Sequence, residues 1–264
     1  MVAEKHRKFH DVLGVSKSSL YYKRKKPVED WIIKQKIESV LHTFPSYGHR
    51  RIALSLGLNK KRIRRVMRIY GIKPYRRHRK PWKRSNIMDY RAFPNLLLTT
   101  PLTHINQIWV TDFTFIWYKN RFIYLSTVMD IWNREIIGAC VLTNHSSTLV
   151  IQALVSALMD HPKPEVIHSD QGGEYTAKVF QDFCIYTGIH ISMSEKSSPW
   201  QNGYQESFYD KFKIDLGDPN RFDSLGELVY EIYHTIYTYN TTRIHTSLKM
   251  SPREFAKKNQ VRYH

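Results

Sequence analysis

IWVTDFTFIWYKNRFIYLSTVMDIWNREIIGACVL, residues 108–142, is the stretch that decides the fold class. Residues 108–117 alternate in polarity and are rich in β-branched and aromatic side chains, the composition of a pleated, half-buried strand. YKNR (118–121) reads as a hairpin turn, and 122–130 and 134–142 read as two more strands. A helix is expected next over 147–159, opened by Ser146 and Ser147 as caps, with Leu149, Val150, Ala153, Leu154, Ala157 and Leu158 as its apolar residues. A short apolar run then ends at Asp170. A helix at about 176–187 is closed by Gly188, and IHISMS (189–194) supplies a fifth strand.

Three antiparallel strands, then alternating helix and strand, then helices, is the order of an α/β RNase H-like domain. In that order the fourth strand lies beside the first, which gives three acids positions. Asp112 shares a strand face with Val110 and Thr114, Asp170 ends the fourth strand, and Glu206 sits about one turn into the helix after Pro199–Trp200. Thirty-five residues separate Asp170 from Glu206. Carboxylate and water ligands suit magnesium or manganese rather than zinc. Two such ions about 3.5–4 Å apart serve in-line phosphoryl displacement, so the site is expected to cut and join DNA. Lys213, two turns along from Glu206, is expected to meet a phosphate. Asp130, Glu174 and Glu195 are competing acids, read as solvated caps.

The charge of +18 is unevenly spread. Residues 1–100 hold 26 Lys and Arg against 6 acids, and residues 101–264 are close to neutral. Such asymmetry points to a polyanion, with nucleic acid ahead of a membrane because no amphipathic anchor stands out. The clearest basic unit is YGHRRIALSLGLNKKRIRRVMRIYGIKP (47–74). A short helix ends near Gly57, Asn59 caps a second, and Ile63, Val66, Met67 and Tyr70 form its packing stripe. Lys60, Lys61, Arg62, Arg64, Arg65 and Arg68 cover the rest, which is how a helix laid against DNA is built. A helix at 30–43 precedes this unit, and LGVSKSSLYY (13–22) reads as the end of a further helix-turn-helix. Residues 73–91 read as a basic linker along the phosphate backbone, with Tyr75 and Trp82 available for stacking.

Cys140 and Cys184, in apolar surroundings, read as reduced core thiols rather than a disulfide. His6 and His10 lack the partners of a zinc site. No apolar run approaches the roughly 18 residues of a membrane span, and the polar start MVAEKHRKFH has no signal-peptide pattern. The expectation is a soluble, cytoplasmic protein without a membrane partner. Towards the C-terminus a helix is expected at about 224–239, and SPRE (251–254) is a capping box opening a last helix.

The expected division is a partial helix-turn-helix (1–26), a basic helical DNA-binding domain (27–76), a linker (77–100), the catalytic core (101–216) and a helical extension (217–264). Across nearly its whole length the chain resembles the OrfB transposases of the bacterial insertion-sequence-three family, whose core is similar to retroviral integrases. The resemblance rests on LGVSKSSLYY, YGHRRI, WVTDFTFI, HSDQGGEY, SPWQNGYQESF with Lys213, and YNTTRIHTSLKMSP. It implies that Asp112, Asp170 and Glu206 are catalytic and ligate two magnesium or manganese ions, with Asp112 bridging both. It also implies cleavage and strand transfer at element ends, in a homo-oligomer on DNA. In such relatives an upstream frame, joined by frameshift fusion, adds further DNA-binding parts. Two other readings compete: an RNase H-like nuclease, and a DNA-binding regulator with an inactive core. Residues 147–159 contain no acid, unlike the corresponding helix of most such nucleases.

Overall fold

The computed structural model describes residues 26–76, 93–194 and 203–260, together with Gly14. LGVSKSSLYY, His6, His10, Trp82 and Glu195 therefore lie outside the described residues, Gly14 excepted, as do Pro199 and Trp200.

A helical region comes first: α1 (Lys26–Thr43), α2 (His49–Leu56) and α3 (Lys60–Ile69). Helix α1 starts earlier than the sequence pattern suggests because Pro27 falls in its first turn, where a missing N–H breaks no helical bond. Asn59 caps α3 as expected, its side chain accepting from Lys61 N–H at 2.8 Å. Ile33 and Ile37 of α1, Ile52 of α2, and Ile63 and Val66 of α3 share one core. Each such side chain stabilises the fold by about 1.5–3 kcal/mol on full burial. The stripe on α3 is shorter than expected, for Tyr70 is 36% exposed. The helix ends at Ile69, Gly71 turns left-handed at φ 64°, and Ile72 packs in that place, its N–H reaching Met67 O at 2.9 Å.

The sheet that follows has the order β3-β2-β1-β4-β5. Strand β1 (Ile108–Tyr118) pairs antiparallel with β2 (Arg121–Asp130), and β2 with β3 (Glu135–Leu142). Lys119 and Asn120 make the first hairpin with positive φ at both, the geometry that matches strand twist. Helix α4 (Ser147–Asp160) leads to β4 (Val166–Ser169), which runs parallel to β1 on its other side. The expected helix at about 176–187 forms as α6 (Lys178–Thr187), closed by Gly188, and a short α5 (Gly173–Thr176) precedes it, with Ala177 extended between them. The Gln181 amide takes the Thr176 carbonyl at 2.9 Å, supplying the partner that a continuous helix would have given. Strand β5 (His190–Met193) closes the sheet.

Two layers cover it. Val128 and Ile167 pack with Leu154 of α4 and Phe180 of α6 on one face. Val110, Ile116 and Leu125 pack on the other against α7 (Gly203–Leu216) and α8 (Leu225–Thr241). Gly138 is required where β3 crosses α4, since a Cβ there would lie 2.4 Å from the Ala153 carbonyl oxygen. Ser224 caps α8 by accepting from Glu227 N–H, and α9 (Pro252–Gln260) ends the described chain. Its capping box is half formed: Ser251 Oγ accepts from Glu254 N–H at 3.4 Å, while the Glu254 carboxylate turns to Lys258. Both cysteines are free, Cys184 fully buried and Cys140 partly so. Among the described residues no helix is long and apolar enough to cross a membrane.

Candidate active site

The parallel pairing of β1 with β4 sets the first two acids side by side. Val110 is level with His168, so Asp112 and Asp170 stand two residues further along neighbouring strands. Asp170 follows directly on the last residue of β4. Each is fixed by the backbone: Phe113 N–H donates to Asp112 Oδ1 at 2.8 Å, and Gly172 N–H to Asp170 Oδ1 at 2.9 Å. Glu206 comes from the first turn of α7 on the same face of the sheet.

The other two carboxyls both act on that of Asp112. Burial, then Asp170 and, more weakly, Glu206, push the Asp112 carboxyl up to about 8, against the opposing pull of the Phe113 N–H and Lys213. Asp170 is also raised, first by desolvation and then by Glu174. Like charges brought together this way make protonation or a bound cation favourable. The donors are hard carboxylate oxygens, which suit magnesium or manganese. Among the described residues no three His, Cys, Asp or Glu side chains close tightly enough to hold an ion as they stand. The donor chemistry fits a divalent cation, and its charge would relieve the repulsion at Asp112.

Two residues that the sequence pattern did not single out fix α7 to the sheet. The buried Gln205 amide donates to Val110 O at 2.8 Å and Thr127 O at 3.2 Å, and accepts from Thr127 Oγ1 at 3.0 Å. One turn on, the Tyr209 hydroxyl donates to Asp112 O at 2.7 Å and lies 2.8 Å from Thr127 Oγ1. Glu206 is carried between these anchors. The available signal was the i, i+4 spacing of a polar and an aromatic residue on a helix face that otherwise buries Phe208 and Phe212.

Lys213 reaches back to the same strand, its ammonium donating to Phe115 O at 2.9 Å and lying 5.0 Å from the Phe115 ring centre. Two of the competing acids are not solvated caps. Asp130 is fully buried, accepts from Asn106 and Trp132 N–H, and is raised to about 6, mainly by burial. Glu174 pairs with His145 at 2.6 Å and approaches Asp170 across Gly172, where a Cβ would meet both carboxylates at 3.0 and 3.1 Å.

The basic residues of α3 divide. Arg65 bonds Asp30 twice, once at 2.7 Å, and Arg62 bonds Glu29 at 2.7 Å, so both fasten α3 to α1. Lys61, Arg64 and Arg68 line a groove of about 770 Å³ with His49 and Arg76, to which Arg65 also contributes. Lys60 stands at the start of the helix, where its charge reaches His49.

Two integrase core domain models match the chain, over residues 103–199 and 187–252. The transposase for insertion sequence element IS904 of Lactococcus lactis is 34% identical over 248 residues, 89% of this chain and 97% of that one. The chain belongs to the insertion-sequence transposases. A putative transposase InsK for insertion sequence element IS150 of Escherichia coli is 30% identical, over 91% of this chain and 89% of the relative. In fold, the transposase is similar to a simian T-cell lymphotropic virus intasome structure, with a TM-score of 0.52 and 19% identity over 82% of this chain and 73% of that one. Family membership makes this transposase an enzyme, a polynucleotidyl transferase with an integrase core.

Proposed function

We propose that Asp112, Asp170 and Glu206 are the catalytic acids of DNA cleavage and strand transfer at the ends of an insertion sequence. The observation that carries this reading is the register of β1 with β4, which sets Asp112 beside Asp170, with Glu206 in the first turn of the helix over that face. The three would hold two magnesium or manganese ions. When bound, such ions neutralise the acids and polarise phosphate and hydroxyl oxygens for in-line displacement. The chain's own groups do the positioning. The backbone N–H groups of Phe113 and Gly172 orient the two aspartates, and the Gln205–Tyr209 clamp presents Glu206 to them. Lys213, beside the acids, would receive a phosphate as DNA approaches.

Substrate DNA, both element end and target, would lie along the groove formed by Lys61, Arg64 and Arg68, with Lys60 at its edge. Arg62 and Arg65 serve chiefly to hold that helix in place. A homo-oligomer on DNA, and a contribution from an upstream-frame protein or fusion, belong to the same reading. Glu206→Gln is the test. Glu206 is exposed, and the substitution keeps its size, so the variant is expected to fold. Magnesium-dependent strand transfer on element-end DNA is expected to fall more than about a thousandfold. Transfer at the wild-type rate would refute the assignment.

A further inference from the structure

A cavity of about 530 Å³ opens between the helical region, the β2–β3 turn, α7 and the chain after α8. Arg51, Arg134, Lys211, Arg243 and His245 line it, and none of the described lining residues is acidic. Arg243 is fixed in place by Asp215 and by Ser46 Oγ at 2.7 Å. Arg51 is fixed by Thr246 Oγ1 at 3.0 Å. Asp215 therefore offsets one positive charge, and the cavity keeps an excess of cations.

Arg134 is the unusual member. It sits in the β2–β3 turn at φ 64°, a backbone conformation that L side chains seldom adopt. Its guanidinium lies 3.9 Å from the ring centre of Tyr204, and its Nη1 is buried without a hydrogen-bond partner. His245 Nδ1 is likewise buried and unpartnered. Burial first, and then the guanidinium groups of Arg134, Arg51 and Arg243, hold that imidazole down to about 4 and so neutral. Buried donors without partners are rare, and backbone strain concentrates where a ligand is held. Water would satisfy the donors but would leave the excess charge unmet. A guanidinium fork stacked on an aromatic ring suits phosphate.

We propose that this cavity is a phosphate-binding site. Its occupant is a phosphate of bound DNA, or that of a free nucleotide. The DNA source rests on the function proposed above. Tyr204 and Lys211 line the cavity from α7, on either side of Glu206 in sequence, and Arg51 reaches it from α2. A phosphate seated there ties the helical region to the helix that carries the third acid.

The experiment compares the full chain with Arg134→Asn, since asparagine tolerates positive φ and keeps the turn. Lys211→Gln, a change on α7 that leaves the turn untouched, is the second variant. Inorganic phosphate and ATP are titrated by thermal shift at constant ionic strength, and a labelled duplex by anisotropy over a series of salt concentrations. If the source is DNA, Arg134→Asn weakens duplex binding about tenfold and lowers the salt slope by about 1, with Lys211→Gln following in the same direction. If the source is a free nucleotide, the shifts with ATP and phosphate are lost and the duplex slope is unchanged. Affinities within about twofold of wild type for all three probes, in both variants, overturn the proposal. Strand transfer is not the readout. Wild-type transfer by Glu206→Gln would refute the proposed function, while the phosphate and ATP arms would still decide this site.

Discussion

Tyr209→Phe removes one oxygen from the clamp that holds α7, and the structure fixes what should follow. The ring is 7% exposed and packs on Phe208 at 5.2 Å between centres, so the substitution leaves core volume almost unchanged. Burial holds the hydroxyl well above its ordinary pKa, so it is a neutral donor at any working pH. What is lost is its 2.7 Å bond to Asp112 O and its 2.8 Å contact with Thr127 Oγ1. Asp112 O keeps the longer bond from Ser126 Oγ at 3.4 Å, and Thr127 Oγ1 keeps Gln205. One buried hydrogen bond with its acceptor left under-satisfied costs about 1–2 kcal/mol. In a chain of this size that lowers Tm by roughly 2–6 °C. The effect on chemistry should be larger in proportion, because Glu206 is placed by the same helix. A displacement of about 1 Å at a catalytic group costs about a hundredfold. The assay is strand transfer well below Tm, with kcat and KM separated. The expected result is a fall in kcat with KM for DNA little changed. A variant that melts with wild type and transfers at the wild-type rate refutes the clamp, and a rise in KM alone would make Tyr209 a DNA contact instead.

Two further outcomes follow from the same geometry. The Asp112 carboxyl is raised from an ordinary 3.8 to about 8, so the folded state binds this proton more tightly than the unfolded chain. Stability from this group is complete below about pH 4 and is lost as pH rises towards 8. Measured by urea midpoints without divalent metal, Asp112→Asn should therefore gain on wild type across that window, and magnesium should narrow the gap. A difference independent of pH would refute the coupling. Gly138→Ala places a methyl 2.7 Å from Ala157 Cβ and 2.4 Å from the Ala153 carbonyl, so α4 must move off β3. Thermal melting should show a loss of about 1–3 kcal/mol, and an unchanged Tm would mean that the helix yields freely.

The strands were legible because β-branched and aromatic alternation is a local property, and Lys119–Asn120 announces its own turn. The position of Asp170 beside Asp112 was legible from element order, since a crossover helix carries β4 back parallel to β1. The clamp was not. Nothing in the sequence pattern singles out Gln205 and Tyr209, and only the approach of α7 to the β1 and β2 carbonyls gives them partners. Asp130 misled for the opposite reason. A strand-end acid is commonly solvated, yet here the chain folds over it and two backbone N–H groups replace water. Tyr70 fits the helical period but falls just past the residue where the helix stops.

The basic front half carries the same lesson in electrostatic form. Six cations on one ten-residue helix look like a single DNA-facing surface, and the hydrophobic period separates only buried from exposed. The structure divides the exposed part again. Arg62 and Arg65 meet Glu29 and Asp30, acids contributed by a helix more than thirty residues away in sequence. Arg64, with Arg50 and Lys60, crowds His49 and helps hold its imidazole below the ordinary value, with slight burial the larger cause. His49 and Arg64 lie on the groove side with Lys61 and Arg68. Acids placed on α1 thus do more than offset charge. By fastening one side of α3 they leave Lys61, Arg64 and Arg68 on the groove side, so which cations stay available there follows from where the few acids of this half were placed.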